Sequence, residues 1–257
     1  MSKGTLLTIE SLGKRWDDGI WALKDVSISI PRGQFVVVLG SSGAGKSTLL
    51  NCINRLIKPT SGKVFLNGTN ITSLTPGCMM RMRQKIGYIF QQFNLIETYT
   101  VRQNVLAGRI GHNPWWRNLL MRYKLYDQAV VERYIRRVGL FDKIDTRVDQ
   151  LSGGQRQRVA IARAAAQEPD IILADEPMAS LDPKLSRVVL DLLTELSKEY
   201  DMTVIVNLHV LELARAYADR IIGLASGHLV FDGPPEELTE DIIRKIYEHA
   251  PEEEIPY

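Results

Sequence analysis

A glycine-rich loop near position 40 has the residue types and spacing of a phosphate-binding site. Gly40-Ser41-Ser42-Gly43-Ala44-Gly45-Lys46-Ser47 fits the pattern G-x-x-x-x-G-K-[ST] and lies between an apolar run and a predicted helix. Glycines let the backbone curl so that its N–H groups converge on phosphate oxygens, and the following helix adds its positive dipole end. Lys46 would bring a charge to the β- and γ-phosphates and Ser47 a hydroxyl to Mg²⁺. The loop predicts a nucleotide site of the kind that kinases, GTPases and motor proteins share.

Two adjacent carboxylates follow a second apolar run. Asp175 and Glu176 come directly after Ile171-Ile172-Leu173-Ala174. In proteins with a phosphate loop, an aspartate at such a strand end holds the Mg²⁺ shell. A glutamate beside it can orient and deprotonate the attacking water. Together with the loop, this pair predicts hydrolysis as well as binding.

A second anion-binding pattern lies between these two motifs. Leu151-Ser152-Gly153-Gly154-Gln155 precedes a helical pattern and offers a hydroxyl, bare backbone N–H groups and a positive dipole end. A single nucleotide site does not need a second phosphate-binding helix start. The surplus site is explained if it caps the γ-phosphate that another copy of the chain holds.

With these motifs in this order, the sequence resembles the ATP-binding cassette (ABC) family along nearly its whole length. The elements are the loop at 40–48, Gln91, the LSGGQ motif, Asp175-Glu176, Ser180-Leu181-Asp182 and His209. The resemblance implies that Gln91 touches Mg²⁺ and senses the γ-phosphate. It implies that Asp182 crosses a dimer seam and that His209 contacts the γ-phosphate. Many family members have Thr-His-Asp where this chain has Leu208-His209-Val210.

The predicted site residues fall into three groups. The catalytic group is Glu176, His209, Gln91 and Lys46; the metal group is Ser47, Gln91 and Asp175; the ATP-binding group is Trp16, Gly40, Ser41, Ser42, Gly43, Ala44, Gly45, Lys46, Ser47, Thr48, Ser152, Gly153, Gly154 and Gln155. The expected cofactors are ATP and Mg²⁺. Trp16 is assigned to stack on adenine because a flat aromatic face suits that contact. Trp21 competes for the same role, and core packing is an alternative for either ring.

The pattern along the chain predicts an α/β fold with a P-loop (RecA-like) core, an N-terminal antiparallel β subdomain and an inserted helical subdomain. Alternating apolar positions in the first thirty residues indicate antiparallel strands, and Asn67-Gly68 indicates a hairpin turn. A helix is expected from Lys46 to Ile57, where Lys58-Pro59 would stop it. We expect one ABC ATPase domain over 1–250, divided into 1–90 (β subdomain and P-loop core), 91–165 (helical subdomain), 166–232 (rest of the core) and 233–257 (tail).

Composition narrows the class of protein. The 257 residues carry 32 basic and 30 acidic side chains, a net charge of +2, which does not favour nucleic acid as a partner. Two cysteines are too few for a disulfide framework. The apolar runs are too short to span a membrane, so a separate chain is expected to do so. The resemblance to the ABC family then implies a peripheral subunit on the cytoplasmic face of the membrane, bound there through a permease.

Within the family, the sequence is similar to phosphonate-type importer ATPases. The likeness lies in the segments at 86–95, 104–109 and 206–209 and in Trp115-Trp116-Arg117-Asn118-Leu119-Leu120. It implies import of phosphonate or a related phosphorus oxyanion such as phosphite or phosphate. The alternatives are an importer of another small solute, such as an amino acid, or an ABC ATPase linked to nucleic acid.

The implied partners are a second copy of this chain, membrane permease subunits and, indirectly, a substrate-binding protein, with no nucleic acid. The Trp115-Trp116 insertion has apolar residues at helical spacing, which indicates packing within the helical subdomain. The alternative is that it lines a groove that receives a coupling helix of the permease.

Overall fold

The computed structural model describes residues 4–114, 123–179 and 181–248. They divide into two compact units, one formed by 4–79 and 197–248 and the other by the described residues between 80 and 196. The Trp115-Trp116 insertion and Ser180 lie outside the described residues. In the part that is described, no helix combines the length and the hydropathy of a membrane span.

The strands are β1 (Thr5–Arg15), β2 (Trp21–Pro31), β3 (Phe35–Leu39), β4 (Ser61–Leu66), β5 (Thr69–Asn70), β6 (Ile86–Ile89), β7 (Ile171–Ala174), β8 (Thr203–Asn207), β9 (Arg220–Ala225) and β10 (His228–Gly233). The helices are α1 (Lys46–Ile53), α2 (Pro76–Arg83), α3 (Val101–Ala107), α4 (Leu125–Arg137), α5 (Gly153–Ala165), α6 (Pro183–Tyr200), α7 (Leu211–Tyr217) and α8 (Glu240–Tyr247). Short 3₁₀ turns join several of them.

The first unit begins with an antiparallel sheet in the order β2-β1-β4-β5. In β2, Val26, Ile28 and Ile30 are buried and alternate with exposed residues, which confirms the predicted period of two. Asn67 and Gly68 join β4 to β5 with φ of 49° and 72°. Positive φ at both central residues matches the twist of the paired strands, so the predicted hairpin turn is confirmed.

A second group of strands in this unit supports the phosphate loop. β3 pairs in parallel with β8 on one side and with β9 on the other, and β10 pairs antiparallel with β9. Every residue of β3 and β8 is buried, as expected for strands whose two faces are both covered. The mixed α/β fold predicted from the sequence is confirmed.

Helix α1 is shorter than the sequence suggested. It ends at Ile53, whereas the prediction extended it to Ile57. The physical reason lies at Arg55, whose backbone is left-handed (φ 54°) and cannot continue a right-handed helix. The Arg55 guanidinium donates to the carbonyls of Ile71 and Leu74, at 2.9 and 3.0 Å, and these bonds stabilise the early end.

The second unit combines the parallel pair β6–β7 with helices α3, α4 and α5, which pack on one another. Next to them lies a buried ionic cluster. Arg109, 3% exposed, donates to Asp127 at 2.9 Å and to Glu168 at 3.0 Å. The Asn113 amide donates to the other oxygen of Asp127 at 2.8 Å. This cluster joins the chain before residue 115 to the chain after residue 122.

Candidate active site

The phosphate loop joins the end of β3 to the start of α1. Gly45, the residue before α1, has φ of 104°, and a Cβ there would lie 2.4 Å from the Ala22 carbonyl oxygen. No other residue type can take this backbone at this distance. Neither a capping side chain nor an acidic residue occupies the first turn of α1. The N–H groups at this helix start therefore suit an anion as their acceptor.

The Lys46 ammonium lies within the loop. The residue is 4% exposed, and its Nζ donates to the carbonyls of Gly40 at 2.7 Å and Ser41 at 2.9 Å. A buried ammonium requires such acceptors, because desolvation without them is costly. The loop thus concentrates positive charge and N–H donors in one place. The charge of Lys46 and the N–H donors of the loop suit the phosphate groups of a nucleoside triphosphate.

His209 lies at the same edge of the sheet as the loop. Val38 of β3 pairs with Asn207 of β8, and the Leu208 N–H donates to the Val38 carbonyl at 3.1 Å. The loop and His209 therefore both follow the carboxyl ends of neighbouring parallel strands. This edge is where ligands bind in open α/β sheets. His209 is exposed there.

Both tryptophans proposed for adenine are accessible. Trp16 is 40% exposed in the turn between β1 and β2, and the Lys14 Nζ lies 4.8 Å from the centroid of its ring. Trp21 is 39% exposed at the start of β2, and the Arg15 guanidinium lies 5.9 Å from its ring centroid. The Trp21 ring also passes 3.1 Å from the position that a Cβ of Gly13 would take. Trp21 thus packs along β1, while Trp16 belongs to the turn.

In the second unit the parallel pair β6–β7 brings Gln91 to Glu176. Ile89 pairs with Ala174, so the residues after each strand leave at the same edge. The Gln91 Nε2 donates to the Glu176 Oε2 at 3.0 Å. Glu176 has φ of 46°, a left-handed backbone that non-glycine residues seldom adopt. Such strain is concentrated at functional sites.

Asp175 has a neighbour that the sequence did not reveal as part of the site. The Tyr88 hydroxyl, in β6, lies 3.5 Å from the Asp175 Oδ2. Burial of the phenol, followed by the aspartate charge, raises the Tyr88 pKa above its ordinary value, so Tyr88 stays protonated. The hydroxyl can then donate to Asp175. The one hint in the sequence was that Tyr88 is a polar side chain within an otherwise apolar strand, where its hydroxyl needs a hydrogen-bond partner.

The LSGGQ motif forms the start of α5. Ser152 caps the helix, with its side chain accepting from the Gln155 N–H at 3.4 Å, while the Gln155 side chain accepts from the Ser152 N–H at 3.0 Å. This reciprocal capping box fixes both side chains. Ser152 and Gly153 are exposed, whereas Gly154 is buried against Leu185.

Each unit thus gathers part of the predicted set. The first unit brings together the loop at 40–48 and His209, and it also carries Trp16. The second unit brings Gln91, Asp175 and Glu176 together at one strand edge and carries the motif at 151–155. Asp182, assigned to a dimer seam, caps the start of α6, since its Oδ1 accepts from the Leu185 N–H at 2.9 Å.

A metal ion would rely on few protein ligands. Among the described residues, no group of three or more His, Cys, Asp or Glu side chains converges on one point. The proposed ligands Ser47, Gln91 and Asp175 offer a hydroxyl, an amide and a carboxylate. These are hard oxygen donors of the kind that Mg²⁺ takes, and Mg²⁺ usually adds water and substrate phosphate oxygens to one or two protein ligands. Each of these donors, the hydroxyl in the first unit and the amide and carboxylate in the second, is of a type that fits Mg²⁺ bound together with a nucleotide.

Known proteins resemble this chain closely. The family model for the ABC transporter matches residues 23–179. The phosphonates import ATP-binding protein PhnC of Wolinella succinogenes is 51% identical over 94% of this chain and 88% of its own length. Its namesake from Staphylococcus haemolyticus is 46% identical over 94% of each chain.

Solved structures agree with this likeness. The dimeric post-hydrolysis state of the ATP-binding cassette MJ0796, bound to ADP and Pi, has a TM-score of 0.78 and 35% identity, covering 91% of this chain and 100% of that one. The cbiO1 protein from Clostridium perfringens, part of the ABC transporter complex cbiONQ, has a TM-score of 0.81 and 30% identity, covering 98% of each chain. From its family match, its relatives and its fold, this chain belongs to the ABC transporter family.

Proposed function

We propose that this chain is the ATP-hydrolysing subunit of an ABC importer for phosphonate or a related phosphorus oxyanion. The observation that carries the hydrolytic part is the contact between Gln91 and Glu176 at the edge of β6 and β7. The transport part is supported by relatives at 46–51% identity that are named phosphonates import ATP-binding proteins. The expected domain is the single ATPase domain over 1–250.

The proposed ATP hydrolysis uses the site residues described above. The loop at 40–48 and Lys46 bind the β- and γ-phosphates, with His209 directed at the γ-phosphate. Glu176 accepts a proton from the attacking water, which Gln91 helps to orient. Ser47, Gln91 and Asp175 would hold Mg²⁺, which would neutralise phosphate charge. Trp16 stacks on the adenine.

A second copy of the chain completes each site in this proposal. The exposed start of α5 offers the hydroxyl of Ser152 and the N–H group of Gly153 to the γ-phosphate held by the partner copy. Gly154 and Gln155 shape this helix start. Related cassettes support the idea, since MJ0796 was solved as a dimer with ADP and Pi. ATP then joins two copies because two anion sites share its phosphates.

The membrane permease is the proposed partner that turns closure into transport, which places this chain at the cytoplasmic face of the membrane. A cavity of about 480 Å³ in the second unit supports a docking surface. It is lined by Arg102, Leu106, Tyr123, Gln128, Val131 and Glu132. The Trp115-Trp116 insertion lies outside the described residues, and the groove-lining role that the sequence offers for it as an alternative stays a prediction. A substrate-binding protein would deliver the cargo to the permease.

The hydrolytic proposal is tested with Glu176→Gln. This variant should lose at least about a hundredfold in ATPase rate, the usual effect of removing a general base. It should also accumulate as a dimer with ATP and Mg²⁺, measured by size-exclusion chromatography with light scattering. Glu212→Gln, the same change at an exposed position of α7, should behave like the parent. A Glu176→Gln variant that stays monomeric and hydrolyses ATP at the parental rate contradicts the shared-site mechanism.

The cargo is tested on the assembled transporter. The tagged chain is purified from solubilised membranes, its partners are identified, and ATPase stimulation is measured in liposomes with the binding protein and each solute. Phosphonate, phosphite or phosphate should stimulate, while amino acids and DNA should not. Stimulation by an amino acid would establish the other importer class. Copurifying nucleic acid and stimulation that falls steeply with salt would establish the nucleic-acid alternative.

A further inference from the structure

The segment that follows Gln91 has an unfavourable backbone. Phe93 and Asn94 are consecutive and both left-handed, with φ of 56° and 50°. A phenylalanine rarely takes this conformation, because its Cβ approaches the backbone carbonyl. Neighbouring groups must therefore hold the segment in place.

Arg163, in helix α5, supplies such a hold. Its Nη2 donates to the Phe93 carbonyl at 2.9 Å, and its Nη1 donates to the Asn94 carbonyl. The planar guanidinium presents two parallel donors, which match two successive carbonyls. Burial lowers the Arg163 pKa, but an arginine remains charged at any physiological pH. These are charge-assisted hydrogen bonds in a partly desolvated place, so they are strong.

The far end of the segment is anchored separately. The Asn104 side chain, in α3, accepts from the Ile96 N–H at 2.8 Å and donates to the Ile96 carbonyl at 3.0 Å. Asn104 fixes residue 96, and Arg163 fixes residues 93 and 94, nearer to Gln91. The position of the Gln91 amide against Glu176 therefore depends on the arginine more than on the asparagine.

We propose that Arg163 is a positioning residue for hydrolysis: it holds the backbone at 93–94 and thereby keeps the Gln91 amide on Glu176. Helix α5 begins at Gly153, directly after its capping residue Ser152. Arg163 therefore also links the helix start assigned to the partner's ATP with the segment that senses the chain's own ATP. This inference rests on the proposed function. It adds a residue outside the motifs to the machinery of that site.

The test is a double-mutant cycle on ATP hydrolysis with Arg163→Met, Gln91→Ala and the double variant. Arg163→Met should lower kcat by about tenfold to a hundredfold, as small displacements of reacting groups do. Its Kd for ATP should stay within about twofold of the parental value, because the bonds lost are not those of the phosphate loop. Added to Gln91→Ala, it should lower kcat by no more than about twofold further, since it acts through Gln91. Arg163→Lys should recover part of the rate.

Arg158→Met is the matched control. Arg158 lies on the same helix and also donates to a backbone carbonyl, that of Val138, at 3.0 Å. This control should leave kcat near the parental value. If the effects of Arg163→Met and Gln91→Ala multiply in full, or if Arg158→Met lowers kcat equally, the positioning role is wrong. Should Arg163→Met not fold, the cycle is run with Arg163→Lys.

Amide hydrogen exchange separates this inference from the proposed function. Amides of residues 91–95 should exchange at least about tenfold faster in the Arg163 variant than in the parent or in Arg158→Met, because local opening becomes easier. A parental chain that hydrolyses no ATP would overturn the proposed function, yet faster exchange would still show the hold by Arg163. Unchanged exchange in the Arg163 variant would overturn the inference even in an active ATPase.

Discussion

Several residues in or next to the proposed site have a left-handed backbone, which non-glycine residues seldom adopt. Glu176 is left-handed at the end of β7, and Phe93 and Asn94 are left-handed after Gln91. Each such residue raises the free energy of the folded state by roughly 1–3 kcal/mol. The local bonds from Gln91 and Arg163 offset this strain. In the proposed site, neighbouring side chains therefore stabilise these left-handed positions.

The choice between Trp16 and Trp21 belongs to the residue scale. We expect Trp16→Ala to raise KM for ATP by about tenfold, since stacking of a base on an aromatic ring is worth roughly 1–3 kcal/mol. Trp21→Ala should change KM for ATP by less than about twofold. Its ring packs along β1 at Gly13 and is not expected to stack on the base.

The measurement is steady-state ATPase kinetics over a range of ATP concentrations, with kcat as an internal control. Both variants keep the phosphate loop, so kcat at saturating ATP should remain close to the parental value. The assignment fails if Trp21→Ala gives the larger rise in KM.

At the scale of elements, the proposed chemistry lies at the ends of parallel strands and the starts of helices. β3 and β8 place the phosphate loop beside His209, while β6 and β7 place Gln91 beside Glu176. Helices α1 and α5 both begin at glycine-containing motifs, and the positive end of each helix dipole favours an anion there. The strand edge in the first unit carries the imidazole, the one in the second unit carries the amide and the carboxylate, and the helix starts supply positive potential.

The loop glycine at the start of α1 gives a prediction at this scale. In Gly45→Ala, the new Cβ would meet the Ala22 carbonyl at 2.4 Å and the left-handed backbone would become strained. We expect the free energy of unfolding to fall by at least about 1–2 kcal/mol. ATP binding should weaken strongly, because the N–H groups around the phosphates would be displaced.

Gly77→Ala in α2 is the matched control, since nothing lies within 4 Å of the Cβ it would gain. Its stability should be unchanged or raised by up to about 1 kcal/mol. Thermal unfolding and titration with ATP measure both quantities. Parental affinity for ATP in Gly45→Ala would refute this view of the loop.

The sequence predicted the type and order of elements well, because apolar periodicity and turn residues are local signals. It placed the period of two in the N-terminal strands and the turn at Asn67-Gly68 where the structure has them. It failed at the end of α1, where Arg55 bonds to residues sixteen and more positions away. It assigned Glu176 to the attacking water from the pair of carboxylates, and Gln91 to Mg²⁺ and the γ-phosphate through resemblance, but it did not reveal the hydrogen bond between the two side chains. Tyr88 and Arg163 were missed because their roles depend on contacts between distant segments, which periodicity does not report.

At the scale of the whole molecule, the net charge is close to zero, so we expect local ionic clusters to have the larger electrostatic effect on the free energy of unfolding. In the second unit, Asp127 is buried with Arg109 and Asn113. Burial pushes the Asp127 pKa upward, but hydrogen bonds from Asn113 and Arg109 outweigh it, and the pKa lies below its ordinary value. A carboxyl whose pKa is lower in the folded than in the unfolded chain stabilises the fold at neutral pH. That stabilisation is lost as pH falls through the lowered pKa.

Asp127→Ala should therefore reduce the free energy of unfolding at pH 7 by about 3–5 kcal/mol, because the Arg109 charge would stay buried without this partner. Asp149→Ala, at the more exposed pair with Arg147, should reduce it by less than about 1 kcal/mol.

Denaturant unfolding of the parent and both variants from pH 7 to pH 3 measures these changes in the free energy of unfolding. The gap between the parent and Asp127→Ala should narrow below about pH 4, where the carboxyl of the unfolded chain becomes protonated. A gap that stays constant down to pH 3 would show that packing around Asp127, and not its charge, stabilises the joined ends of the insertion.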